Sequence, residues 1–325
     1  MGVPSRHILS QGPVLAALGR TLAGAVQQRM RASSSSAPSV IHTPGPELTA
    51  EHAPLPRALI DDYLRYVGAD PRAYRGEVPP HLFPQWCFPV LARTLADLPY
   101  PLLSVVNGGC TVRVNAAIPD GEPLQVRARL FEIDDDGRRA RLHQQVQTGT
   151  ASAPDALAID VFAVVPLTNG KNGSRSNRGT APALRGGASF NGAPKPSANG
   201  SRPHTPEDAR EVARFALGKD AGLSFAKLTG DFNPIHWVPL IARASGFRRP
   251  ILHGFAELAY AWEGLNKNVL GGDVHAVRSI DVRLTRPLVL PHEVGLFVRR
   301  RELSLSDALG GPAYLTGSFR LRGEP

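Results

Sequence analysis

The period of the apolar positions changes several times along the chain, and each change marks an element. Over 58–67, Leu59, Tyr63 and Tyr66 recur at helical spacing and predict an amphipathic helix. A second helix is predicted over 81–98, with Trp86, Val90 and Leu95 apolar, and with Pro84 and Pro89 making its first half irregular. Four strand-like runs follow at 104–115, 124–133, 140–150 and 156–165. Alternation such as Val112-Arg113-Val114 gives the runs one wet face and one buried face. Asp134-Asp135-Asp136-Gly137 is a turn signal between two of them. The order then returns. A strand-like lead at 213–217 precedes a helix at 221–228 and a long helix from Gly254 to about 269, with Phe255, Leu258, Trp262 and Leu265 near one face. Strands are predicted at 277–284, 294–303 and 313–321.

The return is visible in the residues as well. Thr111-Val112-Arg113-Val114 matches Asp281-Val282-Arg283-Leu284 at an offset of 170, and Val126-Arg127 matches Val298-Arg299 at 172. His81, at the start of the first long helix, matches His253 at the start of the second, also 172 apart. A helix followed by antiparallel strands, twice over, predicts two copies of one small α+β unit packed together. The copies are not equivalent. The second has Gly230-Asp231-Phe232-Asn233-Pro234-Ile235-His236, whereas the first has Gly68-Ala69-Asp70-Pro71-Arg72-Ala73-Tyr74, which lacks the His and leaves Asp70 without an evident partner.

Composition sharpens the boundaries. The expected organisation is a flexible tail at 1–46, a first α+β domain at 47–167, a disordered basic linker rich in Gly, Ser, Asn and Pro at 168–206, and a second domain at 207–325. The tail is rich in Ala, Ser and Arg and free of acid, which suits either a mobile segment or an organelle transit peptide. The expected compartment is therefore the cytoplasm, or an organelle matrix if the tail is a targeting signal. The basic residues of 1–46 and 169–204 supply ten positive charges against a chain total of +9, so the remainder is near −1. Nucleic acid is not an expected partner, because basicity confined to a tail and a linker is not a basic folded face. No run approaches the ~18 apolar residues of a membrane span. Two cysteines, Cys87 and Cys110, argue against a disulfide scaffold.

The chemistry concentrates after residue 228. Asp231 can accept a proton, and His236 can donate or accept one near neutral pH. Such a pair can add a water across a polarised double bond, or remove it. Taken singly, Asp231 also reads as a loop or capping residue and His236 as a satisfied buried histidine. Asn233 holds the loop through side-chain to backbone bonds. Gly254 opens a helix, where the first N–H groups lack intrahelical partners, and a glycine there allows close approach to the backbone. Its N–H could hold a carbonyl oxygen that gains charge, or Gly254 could serve helix entry alone. His253 reads as a positioning residue. Asp231, His236 and His253 have no recognised metal-ligand spacing, so no metal is expected. Arg243, Arg248 and Arg249 read either as a phosphate-binding set or as a solvated face.

Thr229-Gly230-Asp231-x-Asn233-Pro234-Ile235-His236, then Gly246-Phe247, then Pro250-Ile251-Leu252-His253-Gly254, resembles the signature of the MaoC-like dehydratases, the (R)-specific enoyl-CoA hydratase family. The resemblance covers about 215–265 in detail. It implies a double hot-dog, each half a curved antiparallel sheet wrapped around a long central helix, with the first half degenerate. It further implies that Asp231 and His236 position and activate a water, that the Gly254 N–H binds a thioester carbonyl, and that Asn233 supports the loop; Thr229, His253, Arg248 and Arg249 are the remaining candidates for supporting the site or the substrate. Thr229 keeps the hydroxyl where many members carry Ser. The implied reaction is reversible hydration of a trans-2-enoyl thioester to an (R)-3-hydroxyacyl thioester in fatty acid metabolism. It needs no cofactor beyond the coenzyme A or acyl carrier protein that carries the acyl group. The paired halves leave a monomer or a homodimer open. The rival readings are a hot-dog acyl thioesterase and a non-catalytic acyl-thioester-binding protein.

Overall fold

A computed structural model describes residues 3–12, 41–100, 105–167 and 202–324. Nearly all of the expected linker, and the part of the tail that includes 15–22, lie outside the described residues.

Strands and helices alternate in a repeated order. The N-terminal half runs β1 (Leu48–His52), α1 (Arg57–Tyr66), β2 (Glu77–Val78), α2 (Pro84–Leu95), β3 (Val106–Val114), β4 (Ile118–Pro119), β5 (Leu124–Asp135), β6 (Arg139–Gly149) and β7 (Leu157–Pro166). The C-terminal half runs β8 (Arg210–Leu217), α3 (Ala221–Thr229), α4 (Pro239–Ala244), α5 (Gly254–Asn268), β9 (Val277–Leu284), β10 (His292–Arg299), β11 (Glu302–Ser306) and β12 (Ala313–Leu321). Pro84 starts α2 where its missing N–H costs nothing, behind a separate 3-10 turn at Pro80–Leu82, while Pro89 lies inside the helix. These breaks are the irregularity expected of 81–98. The strands show the period of two, with Leu124, Val126, Ala128 and Leu130 of β5 all buried and Gln125 and Arg127 exposed between them.

One antiparallel sheet of ten strands holds both halves, in the order β1-β5-β6-β7-β3-β9-β12-β11-β10-β8. Each half has the same topology. Its first strand takes the outer edge, and the strand after its long helix lies at the seam. Across that seam β3 pairs with β9, with Thr111 opposite Asp281, and the Thr111 hydroxyl donates to the Asp281 carboxylate at 2.5 Å. Thr111 and Asp281 are also equivalent positions of the internal repeat. Residues that are both equivalent and directly opposed lie on the symmetry element, so an approximate two-fold axis relating the halves passes through this pair.

The core is shared between the halves. Trp86, Tyr63 and Phe83 of the first half join Trp262, Phe225 and Phe255 of the second in one apolar cluster. A polar knot is buried within it. Glu263 of α5 accepts from Tyr74 Oη at 2.5 Å, from His81 Nε2 at 2.7 Å and from Asn266 Nδ2 at 3.2 Å. His81, the repeat equivalent of His253, therefore holds the two halves together.

Three expectations need correction. The strand expected at 294–303 is two, β10 and β11, joined at Arg300, whose φ of 54° is left-handed. The apolar run hid the turn because no Gly or Asn marks it. Asp70 has a partner: it caps the 3-10 helix Pro71–Tyr74 by accepting from the Arg72 N–H. The tail is not wholly free, because Ser5–Gln11 forms a 3-10 helix against α3, with His7 and Gln11 buried. His7 Nε2 bonds to Asp62 at 2.7 Å, and Gln11 Nε2 donates to the Lys227 and Leu228 carbonyls at 3.2 and 3.3 Å. The last carbonyls of a helix need such donors, and here a distant segment supplies one. Cys87 and Cys110 are buried free thiols. Among the described residues no helix is long and apolar enough to cross a membrane.

Candidate active site

Helix α3 ends at Gly230, whose φ of 80° is the left-handed conformation that glycine adopts without strain, and its N–H reaches the Ala226 carbonyl. The chain then turns through Asp231 to Asn233. Asn233 caps the 3-10 helix Pro234–His236, its Oδ1 accepting from the Ile235 N–H at 3.3 Å. Thr229 is fully buried; its hydroxyl donates to the Phe225 carbonyl and receives the Asp231 N–H. This local scaffold brings Asp231 and His236 back toward each other. The first half keeps a similar scaffold, with Gly68 at a φ of 82° and Asp70-Pro71 opening its 3-10 helix, but without the two chemical groups.

His253 and Ile251 complete the arrangement. His253 Nε2 donates to the Asp231 backbone carbonyl at 2.9 Å, which anchors the loop. His236 Nδ1 donates to the Ile251 carbonyl at 2.9 Å. A carbonyl can only accept, so neutral His236 carries its proton on Nδ1 and keeps the Nε2 lone pair. The two imidazoles stack with centroids 3.6 Å apart. Ligand-type atoms of Asp231, His236 and His253 lie within 4.8 Å of one another. The His253 side chain is 1% exposed and that of Asp231 22%, so the carboxyl stands at the opening. Burial raises the Asp231 pKa above the ordinary carboxylate value, against the opposing effects of His236 and of the Asn233 N–H. Burial likewise lowers that of His236, and lowers that of His253 well below the ordinary imidazole value. Both members of the pair are thus biased toward their neutral forms. The same trio is the set closest to a metal-binding cluster among the described residues. One nitrogen of each ring is engaged with a backbone carbonyl, which leaves His236 Nε2 and the buried, unpartnered His253 Nδ1 as the free positions.

Gly254 opens α5 with no side-chain cap from His253. Its N–H is one of those a helix leaves without a partner. The close approach here is made by the protein itself: a Cβ on Gly254 would stand 2.0 Å from Leu284 Cδ1, the end of a half-buried side chain, and 3.3 Å from Asn107 Nδ2. Arg243, Arg248 and Arg249 are exposed, and the structure shows no contact between them and the Asp231–His236 pair. Four nearby groups were not singled out as site residues by the sequence. The Ile251 carbonyl acts through the backbone. Asn107 comes from the other half. Gly222 admits the His236 carbonyl, 2.0 Å from where a Cβ would be; its one signal was a glycine inside a helix. Glu257, one turn into α5, is buried with Oε2 unpartnered, and burial raises its pKa well above the ordinary value. A cavity of about 400 Å³ lies elsewhere, lined by Asp281, Arg283 and Phe297.

Comparison with known proteins finds relatives of this chain. Residues 199–304 match the MaoC like domain family model. The chain is 29% identical over 197 residues to 3-hydroxyacyl-thioester dehydratase Y of Mycobacterium tuberculosis, covering 58% of this chain and 59% of that protein. It is 36% identical over 90 residues to the (R)-specific enoyl-CoA hydratase of Aeromonas caviae, covering 27% of this chain and 63% of that protein. The matches thus span about three fifths of these relatives. A solved Mycobacterium tuberculosis protein described as a double hot-dog fold superposes with a TM-score of 0.54 at 15% identity, covering 86% of this chain and 96% of that one. Residues 199–304 are thus similar to the MaoC like domain, and the fold of the chain is the double hot-dog.

Proposed function

We propose that the protein is a hydro-lyase that reversibly hydrates trans-2-enoyl thioesters to (R)-3-hydroxyacyl thioesters. The observation that carries this reading is the Asp231–His236 pair, whose polar atoms lie within 4.8 Å of each other, followed in the chain by the helix start at Gly254. In hydration, the oxygen of a water bonds to C3 of the acyl chain while His236 Nε2 takes one of its protons. The C2–C3 π electrons move onto C2 and the thioester oxygen, where the Gly254 N–H meets the growing charge. The Asp231 carboxyl then delivers its proton to C2, and a proton passed from His236 to Asp231 restores both groups. Dehydration is the reverse. His253 positions Asp231 through its carbonyl, and Thr229 and Asn233 hold the loop. No step calls on a metal or a redox cofactor.

The names of the relatives, a thioester dehydratase and an (R)-specific enoyl-CoA hydratase, support the substrate class and the hand of the product. Exposed Arg243, Arg248 and Arg249 fit the phosphates of coenzyme A or the acidic surface of an acyl carrier protein. The seam between β3 and β9 joins within one chain what two single units would pair, so a homodimer would be a pair of such pairs. The cytoplasm is the proposed compartment.

The test is loss of enoyl-thioester absorbance with crotonyl-CoA and a medium-chain enoyl-CoA. Wild type is expected to form the (R) product, and Asp231→Asn and His236→Ala to lose at least ~100-fold in kcat. Release of free thiol would favour the thioesterase reading. Binding without turnover, on either carrier, would leave an acyl-thioester-binding protein.

A further inference from the structure

We propose that Asn107, carried by the N-terminal half, is a second hydrogen-bond donor to the thioester carbonyl held at Gly254, so that the site is completed across the seam. This rests on the proposed hydration and deepens it by assigning a role to the half that lacks the acid–base pair.

The backbone of β3 is built to present this side chain. The register of β3 against β7 slips between Asn107 and Gly109. Such bulges re-aim a side chain out of the regular ladder. The two glycines permit the distortion. A Cβ on Gly108 would stand 3.0 Å from the Phe162 carbonyl oxygen and from Val164 Cγ2. Gly109 has a φ of 134°, and a Cβ there would stand 2.1 Å from the Val282 carbonyl oxygen across the seam.

The amide orientation is fixed by chemistry. Asn107 Oδ1 accepts from the Gly109 N–H at 2.9 Å, and an N–H can only donate, so the oxygen takes that position and Nδ2 points away from it. Nδ2 lies 3.3 Å from where a Cβ of Gly254 would stand, hence within about 5 Å of Gly254 Cα, one C–C bond further on. No partner takes its protons among the described residues. Two donors this close can share one oxygen, each at about 2.9 Å. The oxygen that gains charge as water adds to C3 would then meet a backbone N–H from one half and an amide N–H from the other. A donor of this kind strengthens its bond as charge develops, so it acts on kcat more than on KM.

The experiment measures kcat and KM for crotonyl-CoA in full-length wild type, Asn107→Asp and Asn107→Ala, with thermal melts to show that each is folded. Asn107→Asp keeps an acceptor for the Gly109 N–H and removes the donor. Asn107→Ala removes the donor without adding charge. The proposal expects kcat to fall about 100-fold or more in both, with KM within a few-fold of wild type. A fall in Ala alone would mean that Asn107 only props the bulge. A fall in Asp alone would mean that it is near the carbonyl without donating. Either result overturns the proposal, as does wild-type behaviour in both variants, and all three leave the hydration reading standing. A wild-type protein that hydrates no enoyl thioester overturns the hydration reading itself, and this assignment with it.

Discussion

Glu263→Ala tests how the halves are held together. Glu263 is 5% exposed and is the common acceptor for Tyr74, His81 and Asn266, each of which is at most 1% exposed. Tyr74 and His81 belong to the first half and Glu263 to the second, so the carboxylate spans the interface. Truncation strands the His81 N–H and the Tyr74 hydroxyl in the core, where each unsatisfied group costs about 1–3 kcal/mol. The Asn266 amide keeps a second acceptor in Tyr74 Oη at 3.1 Å, so it adds little. The expected loss is about 3–5 kcal/mol, the range for removing one partner of a buried pair. That is a large part of a typical folding stability of about 5–15 kcal/mol. The assay is equilibrium urea unfolding followed by tryptophan fluorescence, with Trp86 in the first half and Trp262 in the second. Glu263→Gln, which retains one acceptor oxygen, is expected to lose less. A loss below about 1 kcal/mol for Glu263→Ala would refute the reasoning, because the stranded donors would then have found water or new partners.

Three further outcomes are expected. Asp231→Asn should be inactive and more thermostable at pH 7. The folded Asp231 pKa is raised by burial, so its carboxyl costs stability once pH rises through that value, and the advantage of Asn should shrink as pH is lowered through it; equal melting temperatures at pH 7 would contradict this. His236 and His253 have folded values lowered by burial from the ordinary 6.5, so their stabilising contribution is complete above that pH and is lost as pH falls through the folded values. Stability measured from pH 7 downward should decline below about 6.5, and His253→Gln should make the decline shallower. Gly254→Ala must displace Leu284 Cδ1 from 2.0 Å, with an expected cost of about 1–3 kcal/mol and a fall in kcat; unchanged melting and turnover would show that Leu284 yields freely.

What was legible in the sequence follows from the range of the interactions. Helices α1, α2 and α5 and most strands were visible because periodicity is a local signal. The repeat predicted two copies of one unit and even contained the residues of the two-fold seam, although nothing in a linear match says that Thr111 and Asp281 touch. Asp231, Asn233 and His236 were legible because one short loop carries them. Ile251 was not, because its contribution is a backbone carbonyl. Asn107 was not, because its meaning depends on a bulge and on a strand of the other half. The docking of Ser5–Gln11 was hidden for a related reason: composition speaks of a tail, whereas the burial of His7 and Gln11 depends on Asp62 and on the last carbonyls of α3.

The two histidines at equivalent positions of the repeat have parted in their duties. His253 steadies the Asp231 loop, and His81 ties Glu263 into the shared core. In a dimer of identical units a change at this position would strike both duties at once, because every copy would carry it. A fused pair is free of that constraint. Substitution around His81, Tyr74 and Glu263 can tune cohesion while the Asp231 loop stays as it is, and the loop can drift toward other substrates without loosening the joint. Joining the units in one chain thus lets cohesion and the Asp231 loop change independently.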